Sequence, residues 1–323
     1  MLNQPLISIL MAVYDPKITW FREQLSSLNS QTYPNLRLYI RDDCSPKVPF
    51  DEIKTITFEC ITKFPVFIDR NEVNLGSNRT FEILTKVADG DFFAYCDQDD
   101  VWLPEKLSAL YNSIYHSNAL LVCSDMYIID ENSKVIADSI TQIRRHHTFY
   151  SGTNLLPKII VSNYVYGCAM LIKSSIAKEC IPFCPYMFHD HYLALYCSTK
   201  GLITSIPKSL IYYRIHRNNQ TLVMAGVTNK ESYYKTQIKI SIERLYWLLN
   251  NFDCNDDVSN YISKVLIWEK ARESWYYKRP GAFVRLWKLR RVKPLVTLFE
   301  LFSFLLPDFI FKFLIYLHKR NFF

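Results

Sequence analysis

Short β-favouring runs alternate with helical segments over the first 125 residues of the chain. The apolar run Ile7–Val13 is followed by residues 17–31, in which Trp20 and Leu28 belong to an apolar set at helical spacing. The same alternation predicts further strands at 36–40, 66–68, 92–96 and 120–123, and further helices at 77–88 and 104–117. It favours an α/β fold with an open, largely parallel sheet, which binds ligands at the carboxyl ends of its strands.

The pattern is weaker in the rest of the chain. Residues 126–165, which include Arg144, Arg145, His146 and His147, predict a loop-rich excursion. A strand is predicted at 164–172 with Gly167 in its interior, where a glycine marks either a close approach or a bulge. Another strand is predicted at 210–214, with helices at 231–250 and 256–277 and a basic, apolar terminus at 281–323.

An acidic cluster follows the apolar strand at 92–96. Its carboxylates are Asp97, Asp99 and Asp100, separated only by Gln98. Three acids so close together repel one another, and a divalent cation with phosphate oxygens would relieve that repulsion. The cluster therefore predicts a site for Mg²⁺ or Mn²⁺. The alternative is a solvated turn or a helix N-cap, with Asp100 capping the next helix.

A second acidic pair, Asp42 and Asp43, stands at the end of the strand predicted at 36–40. A carboxylate at that position can accept hydrogen bonds from a base or a ribose hydroxyl, so the pair predicts nucleotide recognition. Turn formation is the alternative.

The order of the motifs resembles that of family 2 glycosyltransferases with the GT-A fold, and most closely the rhamnosyltransferase-like members, over roughly residues 5–220. The resemblance rests on four motifs in order: Ile7 to Tyr14, Arg41 to Ser45, Asn74 to Gly76, and Cys96 to Trp102. It implies a Rossmann-like nucleotide-diphospho-sugar transferase fold, with a mostly parallel sheet and flanking helices, over residues 1–225. Residues 226–323 then form a helical C-terminal extension.

The resemblance also implies how a nucleotide-sugar donor is held. The residues that would bind the donor are Asp42, Asp43, Asn74, Gly76, Asp97 and Arg214. Asp42 would contact the base, Asp97 would lie near the ribose and sugar, and Asp99 would hold the metal on the diphosphate, with Asp43 and Asp100 in support. Arg79 either contacts a phosphate of the donor or is a surface arginine. Cys44 stands where many relatives carry glycine, so it must accept or shift the geometry of the turn.

Inverting transfer needs a base that takes the proton of the acceptor hydroxyl. Asp190 is the candidate, because it precedes the apolar helix predicted at 192–199 and resembles the acidic residue at the head of a helix in the family. An N-cap is the alternative. The shape of the acceptor site would depend on residues 126–165 and 186–192.

A basic string near the end of the catalytic region, Tyr213 to Asn219, could stabilise the leaving diphosphate. In related sequences a Tyr-Arg-x-His string closes this region. Arg214 or His216 is therefore predicted to meet the diphosphate or to complete the metal shell, with His216 as a metal ligand. A surface loop is the alternative.

Charge is concentrated in the terminus. Residues 269–323 carry twelve Lys and Arg against four Asp and Glu, whereas the whole chain has a net charge of +7. A basic, aromatic terminus beside apolar helices favours an anionic membrane surface over nucleic acid. Glu300, the pair Pro307-Asp308 and Lys312 interrupt its apolar section 294–317, which favours amphipathic helices in the interface. Helices packed on the protein itself are the alternative.

The nine cysteines show no paired metal or redox spacing and are expected to be reduced, mostly buried thiols. The start of the sequence carries no secretory signal, so we expect a cytoplasmic protein, peripheral at the inner face of the cell membrane.

The sequence thus predicts an inverting, metal-dependent glycosyltransferase of cell-surface polysaccharide synthesis, with a nucleotide-diphosphate donor and a glycan or lipid-linked acceptor. Rhamnose is suggested by similarity alone. A nucleotidyltransferase is disfavoured because Val13–Pro16 supplies no glycine-rich, basic loop. The acids at 97, 99 and 190 argue against a non-catalytic membrane scaffold.

Overall fold

The structure is a computed structural model. It describes residues 4–144, 147–216, 219, 224 and 226–319. The chain forms two compact units, Met1–Arg217 and Asn218–Phe323. The sequence places the division between residues 225 and 226, and that boundary stays a prediction. Arg145, His146, Arg217 and Asn218, which belong to the two basic strings, lie outside the described residues, as do 320–323.

The first unit is built on one sheet. Its strands are β1 Ile7–Val13, β2 Leu36–Asp42, β3 Val66–Arg70, β4 Phe92–Cys96, β5 Val101–Trp102, β6 Leu121–Ile129, β7 Val135–Ala137, β8 Met170–Lys173 and β9 Ile203–Arg214. Their order is β3-β2-β1-β4-β8-β6-β9-β5, with β7 paired to β6. Strands β1 to β4, β6 and β9 run in one direction, and β5, β7 and β8 in the other. The predicted α/β fold with a mostly parallel sheet is confirmed.

Helices flank this sheet. They are α1 Ile18–Asn29, α2 Phe50–Cys60, α3 Ser77–Val87, α4 Lys106–Ser117, α5 Ile140–Ile143, α6 Leu156–Ile159, α7 Ser174–Glu179 and α8 His189–Lys200. Helix α1 buries Phe21, Leu25 and Leu28 in the core, as its spacing predicts. Helix α2 was not predicted from the sequence; it begins after Pro49 and buries Ile53 and Ile56.

The strand predicted at 164–172 is wrong over its first half. Gly167–Ala169 form a 3₁₀ turn, and the strand begins only at Met170. The backbone N–H of Val165 donates to Oδ1 of Asn163 at 3.0 Å, and that of Gly167 donates to Oδ2 of Asp190 at 3.1 Å. Because side chains take these hydrogen bonds, the segment does not pair with a neighbouring strand.

The loop-rich interpretation of 126–165 is also partly wrong. Strand β6 continues to Ile129, because its pairing with β9 extends to the Ile129–Arg214 pair. The carboxylate of Asp125 then accepts the N–H of Ile140 at 3.1 Å, which fixes the start of α5. The sequence pattern missed this because the strand partner lies far along the chain.

The second unit is helical, as predicted. Its helices are α9 Lys230–Tyr233, a π-helix over Tyr234–Lys239, α10 Ile240–Asn251, α11 Asp256–Tyr276, α12 Ala282–Lys288, α13 Pro294–Ser303 and α14 Asp308–Lys319. Glu300, which interrupts the apolar terminus, is buried and pairs with Arg272 of α11, whose Nε lies 2.9 Å from Oε2. Within the described residues, no helix combines the length and apolar character needed to cross a bilayer.

Candidate active site

The carboxyl ends of β1, β2 and β4 meet at one edge of the sheet. Val13 lies beside Asp42, and Met11 lies beside Cys96, so the loops after all three strands leave at the same edge. The amide of Gln98 binds the backbone of Tyr14 twice, by accepting its N–H at 2.8 Å and donating to its carbonyl at 3.0 Å. The acidic loop after β4 is therefore fastened to the end of β1.

Asp43 organises the loop that carries Asn74 and Gly76. Its carboxylate accepts the N–H groups of Leu75 and Gly76, each at 2.8 Å, and its backbone carbonyl accepts Nδ2 of Asn74 at 3.3 Å. Gly76 has a φ of +79°, which a residue with a Cβ rarely adopts. Three of the predicted donor residues are thus one hydrogen-bonded unit, and Asp43 is its anchor.

Asp42 is fully buried at the end of β2. Its carboxylate accepts hydrogen bonds from Ser45 and lies 3.2 Å from Nε of Arg70 at the end of β3. Cys44 has a φ of +62°, so this residue accepts the backbone geometry that glycine would supply in many relatives. Arg70 was missed from the sequence, although its position at a strand end is the signal that could have found it.

Asp99 faces His216. Nε2 of His216 lies 2.8 Å from Oδ2 of Asp99, and its ring stands 5.0 Å from that of Trp20. The structure therefore joins the two predicted metal ligands, although they lie 117 residues apart. Oxygen and imidazole nitrogen are donors that Mn²⁺ accepts readily, and Mg²⁺ takes the oxygen, so the pair fits a divalent cation.

Asp100 does not cap α4, contrary to the alternative raised from the sequence. Glu105 is the N-cap residue, and Asp100 is fully buried, where it accepts the backbone N–H of Arg214 at 2.9 Å. Its Oδ2 atom has no hydrogen-bond partner among the residues that the structure describes. Burial and the charges of Asp99 and Asp97 hold the pKa of Asp100 well above its usual value.

Arg214 is fully buried, and its guanidinium donates to protein oxygens. Nε donates to the carbonyl of Asp99 at 2.7 Å, and the two terminal nitrogens reach Ser133 at 2.8 Å and Glu23 at 2.6 Å. These contacts fix the backbone of the acidic loop. The predicted contact of Arg214 with the diphosphate stays a prediction.

A buried cluster lies beneath the acidic loop. Ligand atoms of Asp97, Asp100 and Cys168 lie within 4.8 Å of one another. Lys106 is fully buried beside them, with Nζ donating to the carbonyl of Cys168 and standing 3.1 Å from the centre of the Trp102 ring. Burial lowers the pKa of Lys106 to about 7. The sequence gave no sign of this lysine, because lysine is almost never fully buried.

Asp190 lies in the first turn of α8, which begins at His189. The N-cap residue is Phe188, so the N-cap interpretation of Asp190 is wrong. Oδ2 of Asp190 accepts the N–H of Gly167 at 3.1 Å. Burial raises the pKa of Asp190 to about 6, whereas hydrogen bonds from the backbone and the charge of Arg144 oppose the rise.

Asp97 connects the acidic loop to Asp190 electrostatically. Loss of hydration raises the pKa of Asp97 to about 7, and the charges of Asp99 and of Asp190 add to the rise. Gly167, the hydrogen-bond partner of Asp190, is followed by Cys168, whose ligand atom lies within 4.8 Å of that of Asp97, so the acids after β4 and at the start of α8 lie near one another. Arg79, in contrast, is about half exposed and pairs with Glu82 of its own helix, which matches the surface alternative.

Residues 8–179, more than half of the chain, match the model of glycosyl transferase family 2. The chain belongs to glycosyl transferase family 2. Among the relatives of this glycosyltransferase, a dTDP-rhamnosyl transferase of Shigella flexneri is 25% identical over 88% of this chain and 95% of its own. An Escherichia coli enzyme, UDP-Glc:α-D-GlcNAc-diphosphoundecaprenol β-1,3-glucosyltransferase, is 24% identical over 76% of this chain and 91% of its own.

Solved structures share the GT-A fold with this family 2 glycosyltransferase. The Staphylococcus aureus protein TarS, solved with UDP-GlcNAc, matches 86% of this chain and 75% of its own at a TM-score of 0.58 and 15% identity. A mannosyltransferase of Pyrobaculum calidifontis, solved with GDP-Man and Mn²⁺, matches 90% of this chain and 74% of its own at 0.58 and 9% identity. At these identities the likeness establishes the fold alone.

Proposed function

We propose that this family 2 glycosyltransferase moves a sugar from a nucleotide-diphosphate donor to an acceptor hydroxyl with inversion, in a reaction that depends on a divalent cation. The observation that carries the proposal is the link between Asp190 and the acidic loop. Oδ2 of Asp190 accepts the N–H of Gly167 at 3.1 Å, and the ligand atom of the next residue, Cys168, lies within 4.8 Å of that of Asp97. Asp190 can then take the proton of the acceptor while the loop that carries Asp97 and Asp99 binds the donor.

Asp99 and His216 would hold Mg²⁺ or Mn²⁺. Their facing donor atoms and the buried, unpartnered oxygen of Asp100 fit a cation, and the mannosyltransferase of similar fold was solved with Mn²⁺. When bound, the ion would supply positive charge to the diphosphate of the donor. Through its bond to the carbonyl of Asp99, Arg214 would act by positioning this loop.

Asp190 would act as the base. The acceptor oxygen forms a bond to the anomeric carbon, its proton passes to the Asp190 carboxylate, and the bond from that carbon to the diphosphate breaks with its electron pair. Because the pKa of Asp190 is raised only to about 6, the carboxylate is ionised at neutral pH and still basic enough to accept the proton.

The other donor contacts follow from the sheet edge. Asp42 and Arg70 would contact the base of the nucleotide. The loop of Asn74 and Gly76, which Asp43 anchors, would lie along the nucleotide. With β1 between their strands, Asp42 and Asp97 are separated by about 10 Å, since adjacent strands lie about 4.8 Å apart. That span suits a nucleoside between a base contact and a sugar contact.

The names of two relatives guide the substrates. The Shigella flexneri relative is a dTDP-rhamnosyl transferase, and the Escherichia coli relative uses a sugar linked to diphosphoundecaprenol as its acceptor. We therefore propose a hexose or deoxyhexose donor, with rhamnose as one candidate, and a lipid-linked glycan acceptor in cell-surface polysaccharide synthesis.

A lipid-linked acceptor requires access to a membrane surface. Helices α12 to α14 expose large apolar side chains, among them Leu295, Phe302, Phe309 and Phe313, whose loss of hydration in lipid would be favourable. Arg285 and Lys288 of α12, Arg291 of the turn after it and Lys312 of α14 are also exposed. This composition favours the interface of an anionic bilayer and a peripheral position at the inner face of the cell membrane.

A screen of nucleotide sugars tests the function. Purified protein would be incubated with UDP-, dTDP- and GDP-sugars, Mn²⁺ or Mg²⁺ and a membrane extract as the source of acceptor. We expect release of a nucleoside diphosphate with one donor class, and loss of that release with EDTA. Release of pyrophosphate from a sugar phosphate and a nucleoside triphosphate would instead support the nucleotidyltransferase, and no turnover at all would support the scaffold.

A further inference from the structure

A polar cluster of side chains that the donor site does not use lies next in the chain to Gly167, the hydrogen-bond partner of Asp190. Its central side chain is Tyr166, whose ring is 5.3 Å from Cζ of Arg144 and 5.6 Å from the ring of His147. The ring of Tyr213 stands 5.9 Å away on β9. The cluster therefore combines a cation, an imidazole and a phenol, with aromatic faces around them.

Two polar atoms of this cluster are buried and have no hydrogen-bond partner in the part of the chain that the structure describes. Among the described residues, neither the hydroxyl of Tyr166 nor Nε2 of His147 meets a hydrogen-bond partner, and Tyr166 is only 8% exposed. A buried polar group that makes no hydrogen bond costs about 1–3 kcal/mol. Native proteins rarely tolerate such groups unless a ligand or an ion satisfies them.

The cluster is linked to the proposed base through the backbone. Tyr166 is followed directly by Gly167, whose N–H donates to Asp190 at 3.1 Å. The Arg144 guanidinium lies close enough for its charge to act on Asp190, Tyr166 and His147 together. A molecule bound to this cluster would lie close to the proposed base.

We propose that Arg144, Tyr166 and His147 form an acceptor subsite for an anionic group, the diphosphate that joins the acceptor sugar to its lipid carrier. This inference rests on the proposed function and specifies its acceptor. A partly exposed guanidinium binds two phosphate oxygens at once, and a phenol donates a third hydrogen bond.

An anion is the chemistry that best explains the cation in this position. A neutral sugar would take hydrogen bonds from tyrosine and histidine but would have no need of a guanidinium beside the base. The charge of Arg144 also lowers the pKa of Asp190, which makes Asp190 a weaker base for transfer. A bound diphosphate would offset the charge of Arg144 and remove that disadvantage.

Binding of two matched acceptor analogues tests the subsite. Both carry N-acetylglucosamine and an undecyl chain, joined by a diphosphate in one analogue and by a plain glycosidic bond in the other. The full chain is titrated by calorimetry with Mn²⁺ and saturating UDP or dTDP, so that the donor site is filled. We expect Arg144→Gln to weaken binding of the diphosphate analogue by about 10- to 100-fold, the range for a hydrogen bond to a charged group, and binding of the neutral analogue less than twofold.

Controls separate the subsite from general effects. Arg144→Lys should recover part of the affinity, and Tyr166→Phe should lower it less than Arg144→Gln does. Arg22→Gln, which removes an exposed arginine paired with Glu59, should bind both analogues as the wild type does. Inorganic pyrophosphate distinguishes a free anion from the linked one, and we expect it to bind more weakly than the diphosphate analogue.

Equal losses for both analogues in Arg144→Gln, or no loss, would overturn the subsite, as would equal binding of both by the wild type. Tighter binding of pyrophosphate than of the diphosphate analogue would also overturn it, in favour of a free-anion site. Because these are binding measurements, they stand apart from turnover. Failure of the nucleotide-sugar screen would remove the proposed function, whereas failure here would remove only the diphosphate contact.

Discussion

Nε2 of His216 lies 2.8 Å from Oδ2 of Asp99, and this contact brings the last strand of the first unit to the acidic loop after β4. The contact exists because β9 ends at Arg214, whose backbone N–H is held by Asp100. The next residues, Ile215 and His216, therefore lie beside the acidic loop. Strand pairing between distant parts of the chain thus brings together the two side chains that we propose as ligands of a divalent cation.

Asp99→Ala is expected to abolish transfer and to weaken Mn²⁺-dependent nucleotide binding, because it removes an oxygen ligand. His216→Ala should lower the affinity for Mn²⁺ by about 10- to 100-fold or more, since loss of a metal ligand costs at least as much as loss of a residue that supports a ligand. Calorimetric titration of Mn²⁺ with the nucleotide present measures both effects. Asp51→Ala, on the exposed side of α2, should match the wild type. Full transfer by Asp99→Ala would end the metal assignment.

Gly167→Ala is expected to reduce transfer without affecting donor binding. A Cβ at this position would lie 2.6 Å from Nε2 of His189, so the first turn of α8 must shift and carry Asp190 with it. Misplacement by about 1 Å can lower a rate roughly 10²-fold. The kcat for transfer and the donor KM, measured separately, check this.

The double variant Gly167→Ala/His189→Ala is the matched control, because removal of the imidazole makes room for the new methyl group. We expect it to transfer faster than Gly167→Ala alone. If Gly167→Ala kept the wild-type kcat, the turn at Gly167 would have no part in positioning Asp190.

Cys44→Gly is expected to raise the free energy of unfolding by up to about 1 kcal/mol, because a left-handed backbone strains a residue with a Cβ. Cys44 has such a backbone, with a φ of +62°. Cys60→Gly is the matched control: Cys60 is also half-buried, but it is the last residue of α2, where glycine should lower stability by about 0.3 kcal/mol. Urea denaturation compares the two. A destabilisation of similar size in both variants would contradict the account of this turn.

Phe309→Glu/Phe313→Glu is expected to reduce binding to vesicles that contain phosphatidylglycerol by about tenfold or more, since each phenylalanine would lose favourable burial in lipid. Phe58→Glu on α2 is the control, because Phe58 is 54% exposed and Phe313 is 58% exposed. Vesicle flotation measures the bound fraction. Unchanged flotation of the double variant, or equal loss in Phe58→Glu, would refute the membrane face.

The sequence predicted the elements that carry the donor loops because β1, β2 and β4 are strongly apolar and end in acids or turn residues. It also paired Asp99 with His216 in one metal site through the family resemblance. The sequence did not predict contacts that depend on tertiary structure. Nothing local distinguishes a buried Lys106 from a surface lysine, and nothing near Gly167 indicates that its N–H would serve Asp190 instead of a neighbouring strand.

Arg214 shows the same limit from another side. The basic string and the family resemblance predicted that Arg214 meets the diphosphate, and that stays a prediction. The sequence did not show that the pairing of β6 with β9 buries Arg214 completely and directs its donors to Asp99, Ser133 and Glu23. Whether an arginine meets a ligand or supports a loop depends on which strands enclose it, and a linear pattern does not contain that information.

The pH dependence of kcat/KM for transfer, measured in the wild type and in Asp190→Asn, tests the central claim most directly. The base must be ionised, so the wild-type value should fall about tenfold per pH unit below the pKa of about 6 that burial gives Asp190. Asp190→Asn should bind the donor normally, transfer about 10²- to 10⁴-fold more slowly, and lack that decline. A variant with the wild-type rate, or one that keeps the same decline near pH 6, would contradict the assignment of Asp190 as the base.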